Sequence, residues 1–379
     1  MKFATKLVHF DAAPKDPFHP KVTPIYQTAT FEQESADSPG AYEYSRSGNP
    51  TRTVLEEQMV VLEGGTRGFC YASGMAAITC VMRLLSAGDE IVSDYDLYGG
   101  TARLFAKVLP RAGITIRYVD ASDSSAVAAQ VTAKTKMIYV ESPTNPFLRV
   151  VDLAAIAAVA KEQGVLFAID NSVMSPYLQN PLKLGADIVI HSATKFLCGH
   201  SDVTGGVVVV KDDALGQRVK FLQNAEGTAL GPFDSFLLMR GLKTLKLRMD
   251  AQQQSALAIA EFLASHARVG EVYYPGLASH KDHAVHMRQA RGGGSVLSFT
   301  AGSAEAAKAI AEKSELFSIS LSFGSVQSSI SIPVKMSHAS VTEDMTSVRK
   351  PPADLLRLSI GIEDVDDLMA DLRECLDSV

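Results

Sequence analysis

Short apolar segments that alternate with helical ones constrain the fold of this chain more than any other feature. The segments VLFAID and DIVIHS are apolar on both faces, as strands in the middle of a parallel sheet must be. Comparable runs are GFCYA, EIVS, ITIRYV, MIYVE and GGVVVVK, and helical runs such as DLAAIAAVAKEQG lie between them. This alternation predicts an α/β fold with a mainly parallel central sheet.

The chain has 379 residues, a length that favours two domains over a single core. Residues 1–49 are rich in Pro, Thr and aromatic side chains and show no sustained period, which predicts an extended arm that contacts a neighbouring subunit. Helical spacing begins at Pro50 and ends at Gly64, a candidate C-cap. We therefore predict this arm, a large α/β domain at residues 50–243 and a smaller α+β domain at residues 244–379.

Charge and hydropathy exclude some classes of partner. The formal net charge is −6, and phosphate backbones require a surplus of Lys and Arg, so nucleic acid is not expected as a partner. No stretch approaches 18 uninterrupted apolar residues, and the first 20 residues lack the apolar region of a signal peptide. The sequence predicts a cytoplasmic protein that does not span a membrane.

Two features near predicted strand ends suit a planar phosphorylated ligand. Ligands of open α/β sheets collect at the carboxyl ends of the strands. After GFCYA, Ser73 is a candidate N-cap, and the helix start at Gly74 and Met75 suits an anion, although such a serine is most often only a cap. After EIVS, the Tyr98 ring is placed to stack on a planar group, or is an ordinary half-buried tyrosine.

Two further strand ends carry a carboxylate and an amine. Asp170 ends VLFAID, where it forms an Asx turn or keeps a heterocyclic nitrogen protonated. DIVIHS leads into Ser192, Thr194 and Lys195, the placement expected for hydroxyl donors to a phosphate and for an amine that forms an imine. Each residue alone has a commoner structural explanation, and only their conjunction indicates a cofactor site.

These residues lie in motifs that resemble the Cys/Met-metabolism family of enzymes dependent on pyridoxal 5′-phosphate (PLP), with the aminotransferase-like fold type I. The resemblance spans about residues 22–367. It rests on PIYQTATF, YEYSRSGNPTR, YASGMAA, DLYGGT, VESPTNP, AIDNS, HSATKFLCGHSD, GGVVVV, MRGLKTL and LRLSIGIED.

The resemblance implies a role for each matching position. Lys195 is the covalent PLP lysine and the catalytic base, and Tyr98 is both the stacking ring and a candidate proton shuttle. The other implied PLP-binding residues are Gly74, Met75, Asp170, Ser192 and Thr194, with Tyr44 and Arg46 reaching the phosphate of a neighbouring subunit. The implied substrate-binding residues are Ser322, Arg357, Asn145 and Glu43, the last for a distal amino group. Members of the family are usually tetramers built as dimers of dimers.

Two positions distinguish between members of the family. Methionine γ-lyases carry a cysteine where this chain has Gly100, and many γ-lyases carry a glutamate where it has Leu321. Segments such as DNSVMSP and FSISLSFGSVQSSISIP look most like plant-type cystathionine β-lyases, which implies β-elimination of cystathionine in methionine biosynthesis. A cystathionine γ-lyase or cysteine desulfhydrase is the nearest alternative, and a catalytically silent relative is a more distant one.

Three further interpretations have less support. A nicotinamide oxidoreductase would need G-x-G-x-x-G after the first strand, and the sequence lacks it there. His280, His283 and His286 lie on a polar stretch without an assignable carboxylate, so no metal is expected. RGGGS precedes a strand, which favours a turn over a phosphate loop.

Overall fold

The computed structural model describes residues 1–10, 16 and 18–379. Within these residues, the larger sheet has seven strands, in the order β1-β7-β6-β5-β4-β2-β3. β7 runs antiparallel to both of its neighbours and the other strands run parallel to one another, so the predicted mainly parallel α/β fold is confirmed. The strands are β1 (Arg67–Tyr71), β2 (Glu90–Asp94), β3 (Thr115–Val119), β4 (Thr135–Glu141), β5 (Leu166–Asp170), β6 (Ile188–Ser192) and β7 (Gly206–Val210).

The predicted N-terminal arm begins with a short packed helix, α1 (Phe3–Val8). Phe3 and Leu7 are four residues apart and so share one face of the helix. Leu7 is 1% exposed and packs in the apolar cluster that contains Leu55 and Met59. The expectation of an extended arm was therefore wrong for residues 3–8. Residues 11–15 and 17 of the arm lie outside the described residues.

Helices cover both faces of the larger sheet. In α2 (Pro50–Glu63), the residues at the two ends explain where the helix begins and ends. The Asn49 side chain accepts hydrogen bonds from the backbone amides of Thr51 and Arg52, Pro50 occupies the first turn, and Gly64 adopts a left-handed conformation at φ 78°. The helices are α2 (Pro50–Glu63), α3 (Gly74–Met82), α4 (Gly99–Arg103), α5 (Ser124–Gln130), α6 (Leu153–Gln163), α7 (Ser175–Leu178), α8 (Asp213–Glu226) and α9 (Pro232–Leu242).

One predicted helix is irregular. The run ARLFAKVL begins in α4 but continues as a π-helical turn over residues 104–108 and a 3₁₀ turn over residues 109–112. Pro110 has no amide hydrogen and its ring collides with the carbonyl of the preceding turn, so a regular α-helix cannot continue through it.

The C-terminal part builds a second sheet with its own core. Its strands are ordered β10-β11-β12-β9-β8, and α10, α12 and α13 share an apolar cluster with them. The predicted boundary at residue 243 falls between α9 and α10, and the division into domains stays a prediction. The elements are α10 (Leu245–Ser265), β8 (Val272–Tyr273), α11 (His283–Gln289), β9 (Val296–Thr300), α12 (Ala304–Lys313), β10 (Ser318–Ile319), β11 (Ser329–Ser331), β12 (Leu355–Ser359) and α13 (Val365–Asp377).

Helix length and hydropathy also bear on the membrane prediction. In the part of the chain that the structure describes, no helix is both long enough and apolar enough to cross a bilayer.

Candidate active site

A cavity of about 220 Å³ lies at the carboxyl ends of β4, β5 and β6. Its walls come from both sheets, because β12 contributes Arg357. Nine of the residues predicted from the sequence line it: Gly74, Met75, Tyr98, Asn145, Asp170, Ser192, Thr194, Lys195 and Arg357.

The Lys195 amine lies in this cavity just beyond β6. Its Nζ donates a hydrogen bond of 2.7 Å to Ser322 Oγ, which brings that predicted residue into the site as well. Burial and, to a smaller extent, the positive charge of Arg357 lower the pKa of Lys195 to about 8, and Asp170 opposes both effects. The Lys195 amine therefore loses its proton more readily near neutral pH than the amine of a solvated surface lysine.

Asp170 lies partly buried at the tip of β5. Its Oδ1 accepts hydrogen bonds from the Ser172 amide and hydroxyl at 2.9 and 2.5 Å, the arrangement of an Asx turn. Burial raises the pKa of Asp170, while the Ser172 hydrogen bonds and the charges of His191 and Lys195 act in the opposite direction. A cation bound beside this carboxyl would favour its ionised form.

Arg357 is a buried cation with unused hydrogen-bonding capacity. It is 2% exposed, and it donates from Nη1 to Asn145 Oδ1 at 2.9 Å and from Nη2 to the backbone carbonyls of Leu321 and Ser322 at 3.2 and 3.1 Å. Among the described residues, no acceptor lies within hydrogen-bonding distance of its Nε. Burial lowers its pKa to about 10, so it stays charged at neutral pH. Such a guanidinium suits a carboxylate ligand.

The start of α3 lies against the end of β6. The Ser73 side chain caps the helix by accepting from the Ala76 amide at 3.1 Å. A Cβ on Gly74 would lie 2.8 Å from Ser192 Cβ, so only glycine permits this approach. The first-turn amides of α3 lack partners within the helix, and together with the nearby hydroxyls they form a suitable anion cradle.

Tyr98 lies on the cavity wall at the N-cap of α4 and is 38% exposed. A Cβ on Gly100 would lie 2.5 Å from Tyr98 Cε1, so any residue other than glycine at position 100 would displace the ring. The Tyr98 amide donates to both carboxyl oxygens of Glu141 at 3.1 Å.

Several residues line the cavity although the sequence alone assigns them no role. Glu141 ends β4, as Asp170 ends β5, and that position was a usable signal for it. The Phe323 ring centroid lies 4.8 Å from Lys195 Nζ and 5.3 Å from Arg357 Cζ, a packing contact that no sequence pattern indicates. Ser172 and Thr204 also face the cavity.

Three predicted residues lie away from this cavity. Glu43, Tyr44 and Arg46 do not line it. The Tyr44 side chain is 42% exposed, the Arg46 guanidinium lies 5.1 Å from the centroid of its ring, and Arg46 Nε donates to Asn224 at 3.2 Å. These arm residues are exposed on this chain, as a contact with another subunit requires.

The histidine cluster contacts backbone atoms. His283 Nδ1 lies 2.9 Å from the Pro275 carbonyl, His286 Nε2 lies 2.8 Å from the Gly292 carbonyl, and His280 Nδ1 accepts from the Asp282 amide. Across residues 1–10, 16 and 18–379, no group of three or more His, Cys, Asp or Glu side chains is arranged to hold a metal ion.

Comparisons with known proteins match the chain to one family of enzymes. A family model described as Cys/Met metabolism PLP-dependent enzyme matches residues 4–377. The chain is 50% identical over 369 residues to the chloroplastic cystathionine β-lyase of Arabidopsis thaliana, covering 97% of this chain and 79% of that one. It is 46% identical over 379 residues to the cystathionine γ-lyase of Bacillus subtilis, covering all of both chains.

Solved structures give the same result for the fold. The structure of a cystathionine γ-lyase from Lactobacillus plantarum, complexed with L-serine, superposes with a TM-score of 0.97 at 43% identity and covers 100% of this chain and 99% of that chain. A cystathionine γ-synthase from Xanthomonas oryzae, in complex with cystathionine, superposes with a TM-score of 0.96 at 40% identity, covering 100% and 98%.

Proposed function

The chain belongs to the Cys/Met metabolism PLP-dependent enzymes, and from this premise we propose that it is a cystathionine β-lyase. It is a PLP-dependent carbon–sulfur lyase, and the proposed reaction converts cystathionine into homocysteine, pyruvate and ammonia. Cystathionine β-lyases of plants and bacteria are 44–50% identical to it over most of the chain.

The observation that carries the choice of β-elimination is Leu321 at the cavity wall. Its backbone carbonyl accepts from Arg357, and its side chain lines the cavity and is 60% exposed, so it lies beside the proposed carboxylate site. Many γ-lyases have a glutamate at this position, suited to the distal ammonium of cystathionine. The B. subtilis γ-lyase, 46% identical over the whole chain, keeps γ-cleavage as the second candidate.

The residues present fit PLP. The cavity offers a buried amine of lowered pKa at Lys195, a carboxyl group at Asp170 and, at Gly74, a helix start that no Cβ obstructs. PLP supplies an electron sink that stabilises negative charge at the substrate Cα. The proposed assignments are Asp170 for the ring nitrogen, Tyr98 for the ring face, and Gly74, Met75, Ser192 and Thr194 for the phosphate.

Lys195 is the proposed base. Once its amine is released by incoming substrate, it removes the Cα proton, and its lowered pKa keeps a substantial unprotonated fraction near neutral pH. Ser322 holds the amine through its 2.7 Å hydrogen bond. Tyr98, on the same cavity wall, is the proposed proton shuttle to the leaving sulfur.

Arg357 and Asn145 are proposed to hold the substrate α-carboxylate. Asn145 fixes one guanidinium nitrogen at 2.9 Å, and this second contact pre-orients the cation. A neutral side chain at position 357 would leave that carboxylate without a charged partner.

The arm residues are proposed to complete the site of a neighbouring subunit. Tyr44 and Arg46 would contact its PLP phosphate and Glu43 the distal amino group of its substrate, which makes the active unit a dimer within a tetramer. Their exposure on this chain supports the proposal. A cytoplasmic location and a division into domains at residues 49 and 243 are proposed as well.

Product analysis tests the reaction directly. Purified holoenzyme given cystathionine is expected to release pyruvate and homocysteine in equal amounts, because the thiolate leaves from Cβ. Chromatographic identification of both the oxo acid and the thiol is the measurement. Cysteine and 2-oxobutyrate as the main products would establish γ-cleavage instead.

The pKa of Lys195 predicts how recombination with PLP depends on pH. Below pH 8 the amine is mostly protonated and cannot attack the PLP aldehyde, so the rate at which apoenzyme regains its visible absorbance is expected to rise with pH and level off above about 8. Nα-acetyl-lysine is the control, because its amine has a pKa of about 10.4 and its rate keeps rising. A midpoint for the apoenzyme near that of the control would contradict the lowered pKa.

A further inference from the structure

Glu141 is a buried acid on the cavity wall, 5% exposed, and the chemistry described above gives it no task. It ends β4 directly beside Asp170, its partner in the β4–β5 register, so the two side chains emerge on the same face of the sheet. A buried carboxyl group is costly unless it serves a contact. Its contact is the pair of 3.1 Å hydrogen bonds from the Tyr98 amide.

The Tyr98 amide belongs to the stretch of backbone that carries the Tyr98 ring on the cavity wall. Tyr98 is the N-cap of α4 at φ −50° and ψ 134°, and its side chain makes no capping hydrogen bond. The position of this backbone sets where the Tyr98 ring can lie, and the Glu141 side chain binds the backbone at its amide. A Cβ on Gly100 would lie 2.5 Å from Tyr98 Cε1, so the absence of a side chain at position 100 is what leaves space for the ring.

We propose that Glu141 is a positioning residue, which holds the Tyr98 ring in place over the cofactor by binding the Tyr98 backbone amide. It does so as an uncharged acid. The inference rests on the proposed roles of Tyr98 and Asp170, and it adds a residue on which both depend.

The surroundings of Glu141 favour the uncharged form. Burial raises its pKa well above the usual value, and the neighbouring charges of Asp170, Asp96 and Asp94 act in the same direction, against the single opposing effect of the Tyr98 amide. Two adjacent carboxylates cannot both ionise cheaply in a buried site. With Glu141 neutral, Asp170 alone carries the charge that a protonated ring nitrogen would pair with.

Two substitutions test separately whether the length of the Glu141 side chain and its acidity matter. Glu141→Gln keeps the length of the side chain and an oxygen that accepts from Tyr98, but it cannot ionise. Glu141→Asp keeps the acid and is one methylene too short to reach the amide. Glu90→Gln is the matched control, because Glu90 begins β2 away from the cavity and binds Arg117.

Visible circular dichroism of bound PLP reports the orientation of its ring against Tyr98, and it requires no substrate. Glu141→Gln and the control are expected to keep the wild-type signal and the wild-type pH titration of the visible absorbance. Glu141→Asp is expected to weaken the signal, to raise the Kd for PLP about tenfold and to lower kcat about tenfold with a smaller change in KM, since an unsatisfied buried amide has a cost of that order.

Each alternative outcome overturns the proposal. A changed signal or a shifted titration in Glu141→Gln would mean that the charge of Glu141 matters, and an unchanged signal in Glu141→Asp would mean that its contact with Tyr98 does not. Gly100→Ala displaces the ring without touching Glu141 and should reproduce the spectrum of Glu141→Asp; if it does not, the spectrum does not report Tyr98 and the proposal fails. Failure of the wild type to cleave cystathionine would reject the proposed reaction and leave these spectra interpretable.

Discussion

Replacing Lys195 by alanine is expected to lower kcat/KM for cystathionine by roughly 10⁴-fold, the largest effect of any single substitution in this chain. Lys195 is proposed both to bind PLP covalently and to remove the Cα proton. Among the described residues, the cavity wall offers no second amine to do either, and Arg357, the other cation that lines it, stays protonated. The measurement is steady-state kinetics together with the visible absorbance of the purified variant.

The visible absorbance of bound PLP distinguishes a folded variant that has lost catalysis from a variant that has failed to fold. The Lys195→Ala variant should still bind PLP, because the Asp170 and Gly74 contacts remain. Dialysis should remove this PLP more easily than from the wild type, because the covalent bond is lost. Lys211→Ala is the matched control: Lys211 is half exposed at the far end of the same sheet, where it pairs with Asp187. A Lys195→Ala variant with more than a tenth of the wild-type activity would remove Lys195 from the mechanism.

The part of the site that lies at strand ends is predictable from sequence. Strands such as VLFAID and DIVIHS are recognisable by their apolar runs, and a parallel sheet brings their carboxyl ends together. Asp170 and Lys195 therefore had to lie near each other. The same rule applied equally to Glu141, but its partner, the Tyr98 amide, depends on the path of the loop after β2, which no local pattern determines.

The contribution of the second sheet was not predictable from residue patterns. Arg357 reaches the cavity only because β12 packs beside the larger sheet, and nothing local distinguishes it among the 36 Lys and Arg residues of the chain. Arg357, Ser322 and Asn145 were identified only through family resemblance. The hydrogen bonds of Arg357 with Asn145 and of Ser322 with Lys195 are tertiary contacts across more than 100 residues of sequence, and the one between Arg357 and Ser322 spans 35.

The short helix α1 shows a different limit. It has six residues, fewer than two turns, so hydrophobic periodicity cannot reveal it. An isolated helix of that length is unstable in water, and α1 forms because Leu7 packs into the cluster around α2. Tertiary packing, which the sequence does not display locally, decides its structure.

Replacing Asp170 by asparagine is expected to lower kcat by roughly 10²- to 10³-fold, because removing one charge from a buried ion pair costs several kcal/mol. Asparagine keeps an oxygen that accepts from Ser172, so the turn after β5 is preserved. It cannot hold a ring nitrogen in its protonated form, and an unprotonated ring is a weaker electron sink. The affinity for PLP should fall as well, because the ring loses its charged partner.

The measurement for Asp170→Asn is kcat at saturating PLP, with bound PLP quantified in the same sample, so that incomplete loading is not mistaken for slow chemistry. Asp187→Asn is the control of the same residue type: Asp187 binds the Phe167 amide and Lys211 at the opposite end of the strands. A fully loaded Asp170→Asn variant within threefold of the wild-type kcat would show that the charge of Asp170 is not used. The role of Asp170 would then be limited to the Asx turn that it forms with Ser172. The charge that activates the cofactor would have to come from Glu141, which contradicts the uncharged state proposed for that residue.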